Sequence, residues 1–308
     1  MEPKSLYMLS CILLIFLLNP FSLITRADPP HHLDAQKPSA MDFLKTLIGA
    51  RKGTTSKGIP QLKKYLSRLG YMNDNNHTTP ANQTNDFFDD KLELAIKRYQ
   101  TFFKLTVNRI MDDNTVTQMS RPRCGVPDFN LNTSNELFLQ IPTSASHYTF
   151  LPNKPTWPRT KRNLTYSFPV IARRDVYPAI EHATELWAFF SSFKFSYTQN
   201  YDRADIKISF QYGNHGDGYP FDGRGGILGH ALPPTIGILH YDADENWVNG
   251  ETPGAFDLQT IGLHELGHIL GLGHTNDVRA IMYPNMDPGV RKVLGQDDMD
   301  GIKALYPN

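Results

Sequence analysis

Residues 264–274 read HELGHILGLGH, and no other stretch restricts the fold and chemistry of this chain as tightly. Positions i and i+4 of a helix differ by only about 40° of rotation, so a helix here carries His264 and His268 on one face. Gly271 follows three residues later. A glycine there can take positive φ, end the helix and swing the chain back. His274 then returns toward the same point. Three neutral imidazoles leave one tetrahedral position of a Zn2+ ion open for water, the arrangement of a catalytic zinc site. Glu265 comes directly after the first histidine, beside the metal rather than on it, where a carboxylate can take a proton from that water. H-E-x-x-H alone recurs by chance in ordinary helices. The extension through Gly271 and His274 is what makes the metal reading specific.

The rest of the chain sets the context. Its 308 residues allow one to three domains and a sizeable core. Lysine plus arginine and aspartate plus glutamate balance at 31 each, so nothing favours nucleic acid or an anionic membrane as partner. Residues 6–18, LYMLSCILLIFLL, follow Lys4 and precede Asn19 and Pro20. This run is too short to span a bilayer comfortably and reads as the core of a secretory signal, cleaved near Ala27. No stable membrane span and no C-terminal lipid-anchor tail are expected. N-x-S/T sequons at Asn76, Asn82, Asn132 and Asn163 fit an exported glycoprotein in the extracellular space, cell wall or matrix. Export would remove Cys11 with the signal and leave Cys124 without an intramolecular partner, and an odd cysteine in a secreted chain needs its own explanation.

Composition and periodicity set apart a signal peptide (1–27), a helical region within 28–121, a linker (129–162) and an α/β domain (163–308), with residues 122–128 around the cysteine lying between the helical region and the linker. After a Pro-rich lead, apolar spacing predicts helices over 41–50, 59–72 and 89–103, with a fourth, NTVTQMS, capped by Asp113. The linker is rich in Asn, Ser, Thr and Pro and ends in Arg159-Thr160-Lys161-Arg162. A basic cluster at a disordered junction is an accessible protease site, with Arg162 the candidate cut of an activating protease and a solvated charge cluster the alternative. Beyond it come a strand at NLTYSFP and a helix over 175–190 with Val176, Ile180, Ala183, Trp187 and Phe190 on its core face. Strands at 193–199 and 204–211, a Gly-rich loop over 213–226, strands ILGHA and IGILHYD, the histidine helix and a last helix near 296–305 complete the domain.

The histidine string, the order of these elements and the lone cysteine together resemble the matrixin branch of the metzincins, the matrix metalloproteinase family. The resemblance covers about 260 residues. It implies an α+β fold, a twisted mixed five-stranded sheet with three helices, preceded by a small all-α, peptidoglycan-binding-like prodomain. HELGHILGLGH matches the zinc signature, implying His264, His268 and His274 as ligands and Glu265 as general base and acid. IMYP (281–284) matches the Met-turn, which would set Met282 as an apolar floor. PRCGVPD (122–128) matches the cysteine switch, in which the Cys124 thiolate takes the fourth zinc position and keeps the enzyme latent, while Arg123 and Asp128 pair to hold the loop. The segment 215–247 matches the structural-ion region. His215, Asp217, His230 and His240 would close a structural zinc site. Asp222, Asp242 and Glu245, with carbonyls near Gly223 and Gly225, would bind Ca2+. A second calcium site would draw on Asp205, but Ile238 stands where the family has an aspartate.

The resemblance also implies the activity, endoproteolysis of extracellular protein or peptide substrates. A substrate would lie extended along the edge strand around Leu228 and Gly229 and add itself as a strand. Behind the Met-turn, Asn285 and Met286 replace the usual P-x-Y continuation, and we expect a medium pocket favouring an apolar side chain. Ending at Asn308 leaves no room for the propeller-like domain of many animal members, so the layout is similar to the short plant members. The alternative is a catalytically silent extracellular protein that attaches to cell-wall glycan through residues 41–120. The intact Glu265 and histidine triad favour the enzyme.

Overall fold

The structure, a computed structural model, describes residues 38–72, 86–129 and 148–307. The signal segment and the sequons at Asn76, Asn82 and Asn132 lie outside the described residues.

The N-terminal part is helical: a short 3-10 helix (Asp42–Leu47), α1 (Ile59–Arg68), α2 (Asp90–Phe102) and α3 (Asp113–Met119). The first was expected to be an α-helix. Its two buried side chains, Leu44 and Leu47, are three residues apart, and side chains at that spacing eclipse on a 3-10 helix. Helix α1 begins with Pro60 in its first turn, and α2 begins at Asp89, whose carboxylate accepts from the Leu92 N–H. The cap of α3 is Asp112 rather than the expected Asp113. Asp112 is extended and aims its carboxylate at the Thr115 N–H, leaving Asp113 as the first helical residue. Leu62, Leu66, Leu92, Ile96 and Tyr99 form the core of this unit, and Phe221 and Ile227 of the following domain belong to the same cluster.

The main sheet is built from β1 (Arg123–Cys124), β2 (Asn163–Ser167), β3 (Lys194–Tyr197), β4 (Ile206–Gln211), β5 (Ile227–Leu232) and β6 (Ile238–Asp242) in the order β1-β5-β6-β4-β2-β3. Only β5 and β6 run antiparallel. The expected five strands are β2 to β6, and the cysteine segment adds itself as a sixth at the β5 edge. Helices α4 (Val176–Phe190) and α5 (Leu258–Leu270) pack together on the sheet, and α6 (Gln296–Leu305) closes the domain. Trp187 of α4 donates its indole N–H to the Leu263 carbonyl of α5, and Tyr241 of β6 donates its hydroxyl to Leu258. A Cβ on Gly262 would lie within 2.7 Å of both Tyr241 and Ile180, so glycine is what lets α5 approach α4 and the sheet.

The expected linker differs from the structure. Residues 148–162 are docked on the α/β domain. Trp157 is buried in its core, with its indole N–H donated to Ile269 and its backbone N–H to the Tyr306 hydroxyl. Phe150 bridges to Leu272. The basic cluster is held as well. Lys161 pairs with Asp205 at 2.8 Å, and the Arg162 guanidinium lies 5.0 Å from the ring centres of both Phe193 and Tyr306. Arg162 O accepts from Lys194 N, and Asn163 already belongs to β2. Lys161, Arg162 and Asn163 are therefore packed against the α/β domain rather than loose. One large aromatic side chain seeking both a core and an acceptor outweighs a polar composition.

A candidate metal centre and its neighbours

Helix α5 explains the histidine geometry. Asp257 caps its start by accepting from Thr260 N, and Gly271 ends it at φ +106°, the left-handed exit that the spacing requires. His264 and His268 project from one face, with their Nε2 atoms 3.1 Å apart. His274 brings its Nε2 to 3.2 and 3.1 Å from theirs. Ligand atoms around a tetrahedral zinc, with Zn–N near 2.0–2.1 Å, stand about 3.3 Å apart. The triad fits the ion. Burial and then the neighbouring imidazoles push His264 and His268 well below their ordinary range. Burial also lowers His274, so all three are neutral and have a lone pair to give.

Cys124 completes the set. Its Sγ is 3.5 Å from His268 Nε2, and the four donor atoms all lie within 4.8 Å of one another. Backbone pairing puts it there. Strand β1 lies parallel to β5, with Arg123 opposite Ile227 and Cys124 opposite Gly229, while Cys124 N donates to Pro284 O and Met286 N to Pro122 O. The segment is clasped on both sides along the β5 edge, at Leu228 and Gly229, where a substrate was expected. Arg123 and Asp128 are fully buried and form a bidentate pair at 2.6 and 3.1 Å. Glu265 sits beside the thiol. Its Oε2 is buried without a partner among the described residues, and burial raises its carboxyl to about 8.

Met282 lies beneath the site. A Cβ on Gly267 of α5 would collide with its sulfur, so the helix rests directly on the thioether. The turn itself is held by a residue the sequence reading missed. Asp298 of α6, 1 % exposed, accepts from the backbone N–H groups of Ile281, Met282 and Gly295. The G-x-x-D capping pattern at 295–298 was the available signal. Thr149 was missed too. Its hydroxyl donates to the His274 carbonyl from within the supposed linker.

Beside the Met-turn is a cavity of about 310 Å3, with Val278, Tyr283, Met286 and Val290 on its walls. Lys292 also lines it, its ammonium donating to the carbonyls of Val278 and Ala280, and the prodomain's Arg121 pairs with Asp287 beside it. The pocket is thus amphipathic rather than purely apolar.

A second histidine cluster forms between β5, β6 and the Gly-rich loop. Asp217 Oδ2 is 3.0 Å from His215 Nε2, 2.7 Å from His230 Nε2 and 3.1 Å from His240 Nδ1. Asp222, Asp242 and Glu245 are brought into the adjoining loop. Gly225 N donates to Glu245 and Ile227 N to Asp222, while Asp242 Oδ2 is buried without a partner among the described residues. Burial, reinforced by neighbouring carboxylates and opposed by backbone donors (Asp244 and Gly223 at Asp242, Gly225 at Glu245), raises Asp242 to about 6 and Glu245 to about 7. Gly223 takes positive φ in this turn. Asp205, by contrast, is engaged by the Thr165 N–H and hydroxyl and by Lys161, so its charge is already matched.

Comparison with known proteins agrees with this geometry. The Matrixin family model matches residues 156–307, and a peptidoglycan binding domain model matches residues 55–119. Metalloendoproteinase 1 of Glycine max is 44% identical over 263 residues, covering 82% of this chain and 83% of that protein. Metalloendoproteinase 5-MMP of Arabidopsis thaliana is 39% identical over 316 residues, covering 97% and 86%. The interstitial collagenase of Oryctolagus cuniculus is 35% identical over 264 residues, covering 83% of this chain and 51% of its own length. Identity sustained over both the helical and the α/β parts leaves one assignment, that the chain belongs to the matrixin family and is a zinc metalloendopeptidase.

Proposed function

We propose that this protein is a secreted, latent endopeptidase that hydrolyses internal peptide bonds of extracellular proteins once its helical prodomain is displaced. The observation that carries the reading is the placement of Cys124 Sγ within coordination distance of the histidine triad, on the edge a substrate would need. His264, His268 and His274 hold zinc, and when bound it supplies Lewis acidity to water and to the scissile carbonyl. Glu265 takes the proton of the attacking water on its unpartnered Oε2 and passes it to the leaving amine. A carboxyl raised by burial suits that double role. Leu228 and Gly229 offer main-chain groups to an extended peptide in place of β1. The amphipathic cavity takes the side chain next to the cut, with an apolar shaft against Val278, Met286 and Val290.

His215, Asp217, His230 and His240 hold a second, structural zinc. Asp222, Asp242 and Glu245, with the turn at Gly223 and Gly225, take Ca2+, which answers a cluster of like charges that burial alone disfavours. The helical unit acts as the inhibitory prodomain rather than as a glycan-binding module, because its apolar core incorporates Phe221 and Ile227 of the catalytic domain.

The test is hydrolysis of a fluorogenic peptide by the full-length protein before and after a mercurial thiol reagent, with Glu265→Ala and a zinc chelator as controls. Activity should appear only after thiol modification and disappear in both controls. Full activity without the reagent would refute latency. No activity in any form, with zinc bound, would return the silent binding protein to the front.

A further inference from the structure

Each ligand histidine has an outer nitrogen as well as a metal-facing one, and the three outer nitrogens are not held alike. His264 Nδ1 lies 2.7 Å from the Ile281 carbonyl, and His268 Nδ1 lies 2.8 Å from the Leu272 carbonyl. Both acceptors are main-chain groups of the catalytic domain and stay with it. His274 Nδ1 instead lies 2.6 Å from Asp128 Oδ1, a side chain of the prodomain's switch segment 146 residues away in sequence. Both side chains are fully buried. Asp128 is fixed independently. Its Oδ2 accepts from the Tyr71 hydroxyl at 2.6 Å, Arg123 grips both oxygens, and its backbone N–H donates to Leu69. A carboxylate on the outer nitrogen of a ligand histidine fixes the ring's tautomer and orientation and makes the inner nitrogen a better donor, and removing such a partner typically costs 10- to 100-fold in metal affinity.

We propose that Asp128 is a positioning residue for the third zinc ligand, so that the prodomain strengthens the metal site as well as plugging it. Cys124 contributes a fourth ligand to the ion, and Asp128 braces the third. The latent chain then holds catalytic zinc more firmly than the mature enzyme for two separable reasons, and displacing the prodomain removes both. The inference rests on the reading of His264, His268 and His274 as the zinc site.

The test separates the two contributions by working without the thiol. Full-length Cys124→Ser and Cys124→Ser/Asp128→Asn proteins are loaded with zinc and titrated with a chromophoric chelator, and the catalytic-site phase is assigned by its absence in His268→Ala. Zinc retention in this phase should be about 10- to 100-fold weaker in the double variant. Tyr71→Phe in the Cys124→Ser background removes another bond to the same carboxylate but leaves the one to His274, and it should change retention little. Equal retention in Cys124→Ser and the double variant overturns the inference. The lack of any phase that depends on His268 in the wild type would instead overturn the zinc reading beneath it. Should the double variant fail to fold, the wild type decides. In 15N-histidine-labelled, zinc-loaded protein the His274 Nδ1 proton should resonate downfield of the two carbonyl-bonded ones and lose that shift on prodomain release. A resonance that keeps its position on release overturns the inference.

Discussion

If Cys124 holds the site closed as proposed, Arg123→Ala should give a partly active protein without any thiol reagent. The guanidinium makes three hydrogen bonds in a site that excludes water, two to Asp128 at 2.6 and 3.1 Å and one to the Cys124 carbonyl at 3.0 Å. Both partners of the ion pair are fully buried. Removing one partner of such a pair strands the other charge and costs about 3–5 kcal/mol. Asp128 keeps Tyr71 and His274 as donors, which places the loss near the lower end, about 3 kcal/mol. The cost falls only on the closed arrangement, because a displaced loop returns Asp128 to water. At 1.4 kcal/mol per decade the ratio of closed to open protein then falls about 100-fold. The assay is peptide hydrolysis by intact protein, expressed as a fraction of the rate after complete thiol modification. That fraction should rise about 100-fold over the wild type. Arg121→Ala is the contrast. Its pair with Asp287 is partly exposed, with side chains 33% and 52% accessible, and pairs of that kind contribute at most about 1 kcal/mol. If Arg123→Ala stays as latent as the wild type, or Arg121→Ala opens the site equally, the buried pair is not the clasp.

Three further outcomes are expected. Gly271→Ala forces a β-carbon into the left-handed region and against the Pro155 carbonyl, costing at least about 1–2 kcal/mol; calorimetry should show a melting temperature lowered by roughly 2–8 °C, and an unchanged one would contradict the strained exit. Limited trypsinolysis of the folded protein should leave the Arg162–Asn163 bond intact, since Arg162 and Asn163 are tied to Lys194; rapid cleavage there under native conditions would show that this tie does not hold. Asp298 supplies a pH dependence: burial, outweighing its backbone donors, raises its carboxyl to about 6, so the folded form holds the proton more tightly than the unfolded one. Its contribution is therefore full below about pH 4 and lost as pH rises through about 6, amounting to about 3 kcal/mol. Urea unfolding at pH 4.5 and 7.5 should show the wild type losing about 2 kcal/mol more stability than Asp298→Asn, the rest having been lost below pH 4.5, and parallel losses would refute the assignment.

Much of the catalytic centre was legible before any coordinates. His264 and His268 meet because a helix repeats every 3.6 residues, and His274 joins them because Gly271 tolerates a conformation other residues resist. These are properties of eleven consecutive residues. The strands β2 to β6 and helices α4 to α6 announced themselves by apolar periodicity, and PRCGVPD marked the loop that brings Cys124 to the histidines. Where local pattern failed, a partner distant in sequence was responsible. Trp157 sits in a stretch whose composition reads as linker, and only the pocket formed by α5 and α6 makes it core. Composition likewise gave no sign that Lys161 pairs with Asp205 or that Arg162 lies against Phe193 and Tyr306.

The sequence by itself determined the chemistry, because ligand spacing, the helix exit and the neighbouring carboxylate are set within a few bonds of one another. Only the tertiary structure decided how that chemistry is restrained and supported. The β5 edge is filled by β1, the Met-turn hangs from Asp298, and the outer nitrogen of His274 is met by Asp128. Each of these joins segments from 16 to 146 residues apart. No local propensity encodes such contacts. They arise because a buried polar group must find a partner, and the nearest one is chosen by packing rather than by proximity along the chain.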